Sequence, residues 1–179
     1  MTPLGYLKTA GLEITFMMIP VVIGSIVVGP AAGAVLGGVF GITSFLQCLG
    51  IGGLSQFGAT LLSINPVFTF IVCVPTRILA GMIPGFIAKA IGKVDKSKIF
   101  SSAAASLSGA LLNTLFFMSA LMLLFGNTEY IQSMMGEMSV IPFVLAFVGL
   151  QGLVEAIVTF VVGGAIAIGL VHALKRRFK

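Results

Sequence analysis

The stretch ITFMMIPVVIGSIVVGPAAGAVLGGVFGITSF, residues 14–45, decides the class of fold because it is long, apolar and free of charged residues. A helix needs about 20 mostly apolar residues to cross the hydrocarbon core of a bilayer. Within the stretch, Pro30 suits the first turn of a helix and Gly29 suits the turn before it. The sequence therefore predicts two membrane spans, at 13–29 and 30–48, that meet at a tight turn.

Three further apolar runs predict spans at 65–91, 100–125 and 139–173. The composition agrees, because 58% hydrophobic residues, 8% charged residues and a mean hydropathy of +1.18 leave too little polar surface for a water-soluble globule of 179 residues. We predict an all-α fold, a polytopic transmembrane helical bundle in which residues 1–179 form a single membrane domain. The lipid bilayer is its solvent.

Eight of the ten Lys and Arg residues lie in two clusters, Lys89–Lys98 and Lys175–Lys179. The positive-inside rule places both clusters, and with them the C-terminus, on the cytoplasmic side of the cell membrane. The loops 1–12, 49–64 and 126–139 are then external. The cations are neither spread over a face nor interleaved with stacking aromatic residues, so no nucleic-acid partner is predicted.

Polar side chains at mid-depth mark a candidate site. Arg77 lies roughly 11 residues from the external end of the third span and Glu155 roughly 15 from that of the fifth, so a rise of 1.5 Å per residue places both near the middle. Asn113 and Gln151 fall at comparable depth. Ionisable groups inside a span are costly and are usually paired or functional. Two interpretations stay open: an ion pair between Arg77 and Glu155 that fastens the bundle, or the floor of a ligand cavity open to the outside.

A stripe of polar residues on the third span leads from its external end down to Arg77, at helical spacing. It begins with Asn65 and Thr69. Aromatic residues in the external half, Phe45 and Tyr130 among them, would supply the apolar walls of a pocket. The complete set of predicted substrate-binding residues is Arg77, Asn65, Thr69, Asn113, Gln151, Glu155, Gln47, Phe45 and Tyr130.

Small residues recur every four positions on two spans, as Gly33, Gly37 and Gly41 on the second and from Ser101 to Gly109 on the fourth. Small residues let helix backbones approach closely in lipid. They predict packing within the bundle, with docking of a partner membrane subunit as the alternative.

Residue patterns for catalysis are missing from the sequence. The one histidine, His172, lies at the cytoplasmic end of the last span, and neither an HExxH nor a P-loop motif occurs. The two cysteines, Cys48 and Cys73, support neither a disulfide framework nor a zinc site. We predict no enzymatic activity, no metal and no cofactor, which leaves binding or passage of a small molecule.

The run 14–45, the Gly-rich loop after it, the run INPVFTFIVCVPTRILAG at 64–81 and the short basic C-terminus resemble the substrate-binding S components of energy-coupling factor (ECF) vitamin transporters. The resemblance covers about residues 12–176. It implies a six-helix fold in a bacterial plasma membrane, whose helices 2–6 match the five spans, so a first helix is expected to be missing before Met1. It also implies capture of a vitamin near the external surface, for ATP-driven uptake with a transmembrane coupling subunit and two ATPase subunits.

One cation accompanied by amides and hydroxyls suits pantothenate, and the resemblance favours the same vitamin. Riboflavin, which is neutral and requires aromatic stacking, is the next candidate. The alternative from another class is a non-transporting structural or assembly subunit with an internal Arg–Glu fastener. A small channel is a third hypothesis, disfavoured because the inner halves of the spans are almost wholly apolar.

Overall fold

Helices make up nearly all of the computed structural model, which describes residues 6–9, 12–15, 17–53, 55–95 and 97–177. The predicted all-α membrane bundle is confirmed. A small antiparallel hairpin precedes it, formed by β1 (Tyr6–Thr9) and β2 (Leu12–Thr15). The helices are α1 Met18–Val27, α2 Pro30–Cys48, α3 Gln56–Ile64, α4 Pro66–Cys73, α5 Pro75–Ile91, α6 Ile99–Phe125, α7 Glu129–Met135, α8 Val140–Val158 and α9 Gly164–Arg177. A π-helical turn, Thr159–Gly163, joins α8 to α9.

Four helical segments among the described residues are long and apolar enough to cross a membrane: Pro30–Cys48, Pro66–Ile91, Ile99–Phe125 and Gly152–Ala173. The pair formed by α7 and the start of α8, bent by 82°, makes a fifth if it counts as one span. Helix α2 covers the same residues as the second predicted span. The third predicted span is divided at Val74 into α4 and α5.

The predicted helical span over 13–29 is wrong at its N-terminal end. Strand β2 occupies Leu12–Thr15, and α1 begins only at Met18. The segment LEIT alternates apolar and polar residues and contains two β-branched side chains, a strand pattern that counting apolar residues overlooks. The ten residues of α1 extend about 15 Å, half the thickness of a hydrocarbon core.

The three segments predicted as external loops contain regular structure. Strand β1 lies within 1–12, α3 within 49–64 and α7 within 126–139. Hydroxyl N-caps start both helices: Ser55 Oγ accepts a hydrogen bond from the Gly58 N–H at 3.2 Å, and Thr128 Oγ1 accepts one from Ile131 at 3.4 Å. An N-cap satisfies a donor that the first turn leaves unpaired. These short helices lack the length by which spans are recognised in a sequence.

The glycines of α2 pack against α4 and α5 within this chain. A Cβ added at Gly33 would overlap the carbonyl oxygen of Gly81, and one at Gly37 would overlap that of Arg77. At Gly41 it would lie 2.7 Å from Val74 Cα and 2.8 Å from the Cys73 carbonyl oxygen. Only glycine permits backbones to approach this closely. The close-packing interpretation of this series therefore holds.

Candidate functional site at the middle of the bundle

Arg77 on α5 is held between two aromatic rings and two backbone carbonyls. Its Cζ lies 4.9 Å from the ring centre of Phe40 on α2 and 5.3 Å from that of Phe117 on α6. Its Nη1 donates to the carbonyl oxygens of Val72 and Cys73, each at 3.2 Å. Cation–π contacts strengthen where water is excluded. The guanidinium thus has a fixed position that three helices share.

The carbonyls that bind Arg77 lie at the break between α4 and α5. Pro75 opens α5 and has no N–H with which to continue the hydrogen-bond ladder of α4. Thr76 Oγ1 donates to the Val72 carbonyl at 2.5 Å, so that oxygen accepts from both Thr76 and Arg77. The proline break therefore supplies the acceptors that anchor the arginine.

Asn113 and Glu155 meet beside this arginine. Asn113 Nδ2 donates to Glu155 Oε1 at 3.4 Å, which links α6 to α8. Asn113 lies on the same face of α6 as Phe117, one turn away. It is also central along α6, about 21 Å from Ile99 and about 18 Å from Phe125 at 1.5 Å per residue. The structure therefore brings three of the predicted residues, Arg77, Asn113 and Glu155, to one level.

The other polar atom of the Asn113 amide, its oxygen, is an acceptor in this layer. Asn113 Oδ1 is buried and has no hydrogen-bond partner in the described part of the chain. Burying an amide oxygen without a partner costs free energy. Gln151 lies one turn before Glu155 on α8, but its side chain falls outside what the structure describes.

The polar residues at the start of α4 are engaged in local hydrogen bonds. Asn65 is the N-cap of α4, and its Oδ1 accepts from the N–H groups of Val67 at 3.0 Å and Phe68 at 3.1 Å. Thr69 is buried, and its hydroxyl donates to the Asn65 carbonyl at 2.9 Å. These contacts give both residues a structural role in α4.

The predicted aromatic residues pack against other rings. Phe45 meets Phe70 edge-on at 5.4 Å between ring centres, and Tyr130 lies 6.1 Å from Phe57. Gln47 is half-buried near the end of α2, where its backbone oxygen accepts from Gly50 and Ser55.

A hydrophobic cluster joins the short helices α3 and α7 to α4, α6 and α8. Leu61 of α3 and Ile131 of α7 pack with the C-terminal half of α6 and with Phe143 of α8. Its buried members are Leu61, Val72, Met118, Leu121, Phe125, Ile131, Met135 and Phe143. One member, Val72, also provides a carbonyl that binds Arg77, so α3 and α7 pack against a residue that contacts the candidate site.

The sequence model of a family described as "ECF transporter, substrate-specific component" matches residues 1–167. The chain belongs to this family. It is therefore a multi-pass membrane protein, the S component of an ECF transporter, and its family is one of transporter components and not of enzymes. Membership implies a small-molecule substrate and partner subunits. A search of the curated proteins found no match.

Sequence reasoning missed Phe40 as a member of this S component's site. Phe40 is seven residues from Gly33 and next to Gly41, so it lies on the glycine face of α2 and is buried. That spacing could have identified it. A separate groove of about 580 Å³ between α6 and α8 is lined by apolar residues such as Met118 and Val148, and contains none of the predicted site residues.

Proposed function

We propose that this S component captures a small water-soluble vitamin. Pantothenate, which bears a carboxylate, is the favoured ligand, and riboflavin, which is neutral, is the next. It would take the vitamin from outside the cell and pass it inward with a coupling subunit and two ATPase subunits. The observation that carries the proposal is the guanidinium of Arg77, which lies against Phe117 of α6, one turn from Asn113. The buried amide oxygen of Asn113 has no hydrogen-bond partner among the described residues.

Arg77 and Asn113 offer complementary chemistry to such a ligand. A guanidinium binds a carboxylate through charge-assisted hydrogen bonds, which are about twice as strong as neutral ones. The Asn113 oxygen accepts from a hydroxyl or an amide N–H, and pantothenate has both. Glu155, joined to Asn113, orients the amide so that this oxygen faces away from the carboxylate.

Leu61 of α3 and Ile131 of α7 share a cluster with Val72, whose carbonyl binds Arg77, so entry of a ligand from this end of the bundle would displace α3 or α7. Both helices are short, with nine and seven residues, and glycines at positive φ, Gly50, Gly52 and Gly136, flank them. Short helices beside loops open at a lower free-energy cost than the long spans of the core. Entry of the vitamin would therefore be coupled to displacement of these helices.

The structural alternative, a subunit in which Arg77 and Glu155 only fasten helices, draws on the same contacts. Arg77 already binds two carbonyls and two rings of its own chain. Under this alternative, loss of Arg77 lowers stability while no ligand response exists to be lost.

Equilibrium binding of a vitamin panel to the detergent-purified protein tests the proposal. Pantothenate should bind, and its alcohol analogue, which lacks the carboxylate, should bind more weakly. Arg77→Gln should weaken pantothenate binding by about 10- to 100-fold, the equivalent of one hydrogen bond between charged groups. Affinity for the alcohol analogue should change little in this variant.

Lys93→Gln is the matched control, because it removes a cation from the loop after α5 and leaves the bundle intact. It should bind pantothenate as the wild type does. Absence of binding by every vitamin in the panel, together with a lower melting temperature of Arg77→Gln, would favour the structural alternative. Tight binding of riboflavin alone would identify riboflavin, and not pantothenate, as the ligand.

A further inference from the structure

Two cysteines from different helices face each other outside the polar layer. Cys48 is the last residue of α2 and Cys73 the last of α4, and their Sγ atoms lie 4.0 Å apart. Both are free thiols, each with 6% of its surface exposed. Val74 shares their buried cluster, with Phe45 and Ile78 packed around it. The proposed transport function uses neither sulfur.

The contacts around the two thiols hold them at this distance. The Cys48 thiol donates to the Ser44 carbonyl at 3.3 Å, and the backbones of α2 and α4 touch at Gly41 and Cys73. Gly58 of α3 closes over Cys48, because a Cβ there would overlap its sulfur. A disulfide needs a sulfur separation of about 2 Å, so the 4.0 Å gap between the two Sγ atoms must close by about 2 Å.

We propose that Cys48 and Cys73 form a redox-active pair that closes to an intramolecular disulfide and fastens α2 to α4. The proposal stands independently of which vitamin the protein binds. The sequence alone gives no reason to pair Cys48 with Cys73. Their Sγ–Sγ distance in the structure does.

The reaction is a two-electron oxidation of both thiols by a diazene such as diamide. One thiolate adds to a nitrogen of the N=N bond, and the second thiolate then attacks the sulfur of that adduct. The S–N bond breaks as the S–S bond forms. The electron pair leaves with the nitrogen, and the two thiol protons end on the two nitrogens of the hydrazine product. A thiol reductant reverses the change.

Closure would restrict the segment that leads to α3. The turn after Cys48 contains Gly50, Gly52 and Gly53 at positive φ, and it connects the end of α2 to Ser55. With Cys48 tied to α4, this turn would be anchored at its beginning. The Cys73 carbonyl bound by Arg77 would also be held, because the link is to the same residue.

Thiol counting on the purified full-length protein tests the proposal. After treatment with diamide and removal of the excess, the unfolded protein should take up no maleimide, and its mass should show the loss of two hydrogen atoms in a monomer. Reduction should restore two labelled thiols. The oxidised protein should melt at a higher temperature, because the link constrains the unfolded chain.

Cys48→Ala and Cys73→Ala are the matched controls, and either one suffices if the other fails to fold. Each should keep one labelled thiol after the same treatment, and its melting temperature should not respond to diamide. Two labelled thiols in the treated wild type would overturn the proposal. So would disulfide-linked dimers as the main product, or equal loss of thiols in the single variants.

Discussion

Gly41→Ala is expected to destabilise the protein by separating α2 from the α4–α5 break. A Cβ at this position would lie 2.7 Å from Val74 Cα and 2.8 Å from the Cys73 carbonyl oxygen. The first distance is about 0.8 Å short of the optimum for two carbon atoms, about 3.5 Å. The opposing atoms belong to the backbone, so no side-chain rotation relieves the overlap. Overpacking of this kind costs about 1–3 kcal/mol.

Gly38→Ala is the matched control. The same Cβ at Gly38 would meet Ile78 Cγ1 at 3.5 Å, an ordinary van der Waals contact. Both variants gain the same helix propensity over glycine, about 0.5–1 kcal/mol, so the difference between them isolates the steric cost.

Thermal denaturation of the two variants in detergent measures that difference. For a chain of this length, a cost of about 2 kcal/mol corresponds to a melting temperature about 4–8 °C lower in Gly41→Ala than in Gly38→Ala. Equal melting temperatures would refute the reasoning, because they would mean that α2 and α4 do not approach as closely as the glycine contacts require.

Three further outcomes are expected. Asn65→Ala should lower the free energy of unfolding by about 1 kcal/mol through loss of the α4 N-cap. Asn65→Asp keeps an N-cap oxygen and should retain most of that stability. Equal losses for the two variants in chemical denaturation would contradict the capping role. The pKa of Asp95 is lowered from 3.8 to about 2 because its carboxylate accepts from the Ser101 N–H and from Ser97. Since this folded pKa lies below the ordinary value, the contribution of Asp95 to stability is present at neutral pH and is lost as pH falls from 3.8 towards 2. The difference in melting temperature between wild type and Asp95→Asn should therefore shrink over that range, and a constant difference would argue against it. Phe40→Leu should lower the free energy of unfolding by about 1 kcal/mol, because it removes one ring from the Arg77 guanidinium. A double-mutant cycle with Arg77→Gln should recover this amount as coupling energy. Additive effects of the two substitutions on stability would exclude the contact.

The relative level of three residues along their helices was predictable from the sequence because it depends only on counting residues. A constant rise per residue placed Arg77, Asn113 and Glu155 at one level before their helices were known to touch. Lateral contacts depend on how helices rotate about their axes, which the count does not specify. The ring of Phe40 against Arg77 and the Asn113–Glu155 hydrogen bond therefore required the structure.

Local sequence patterns account for the other differences between the predicted and the observed structure. Asn65 precedes Pro66, and this pair forms an N-cap followed by a first-turn proline. That signal was available in the sequence, yet the position of Asn65 on a polar stripe suggested a ligand contact. The strand at Leu12–Thr15 and the short helices α3 and α7 were not predicted for a different reason. Spans are recognised by long runs of apolar residues, and these elements are too short to form such runs.

The π-helical turn at Thr159–Gly163 changes which residues of the segment formed by α8 and α9 face the antiparallel helix α6. On α6, Ser106 and Asn113 are seven residues apart and so share a face, since seven residues complete nearly two turns. On the opposite segment, Glu155 meets Asn113, and both Gly163 and Gly164 lie near Ser106. They are eight and nine residues from Glu155, and in a regular α-helix this spacing would rotate them away from the Glu155 face by about 80° and 180°. A π turn absorbs one additional residue. It therefore allows Glu155 to reach Asn113 while Gly163 lies against Ser106, so both ends of this interface stay in register.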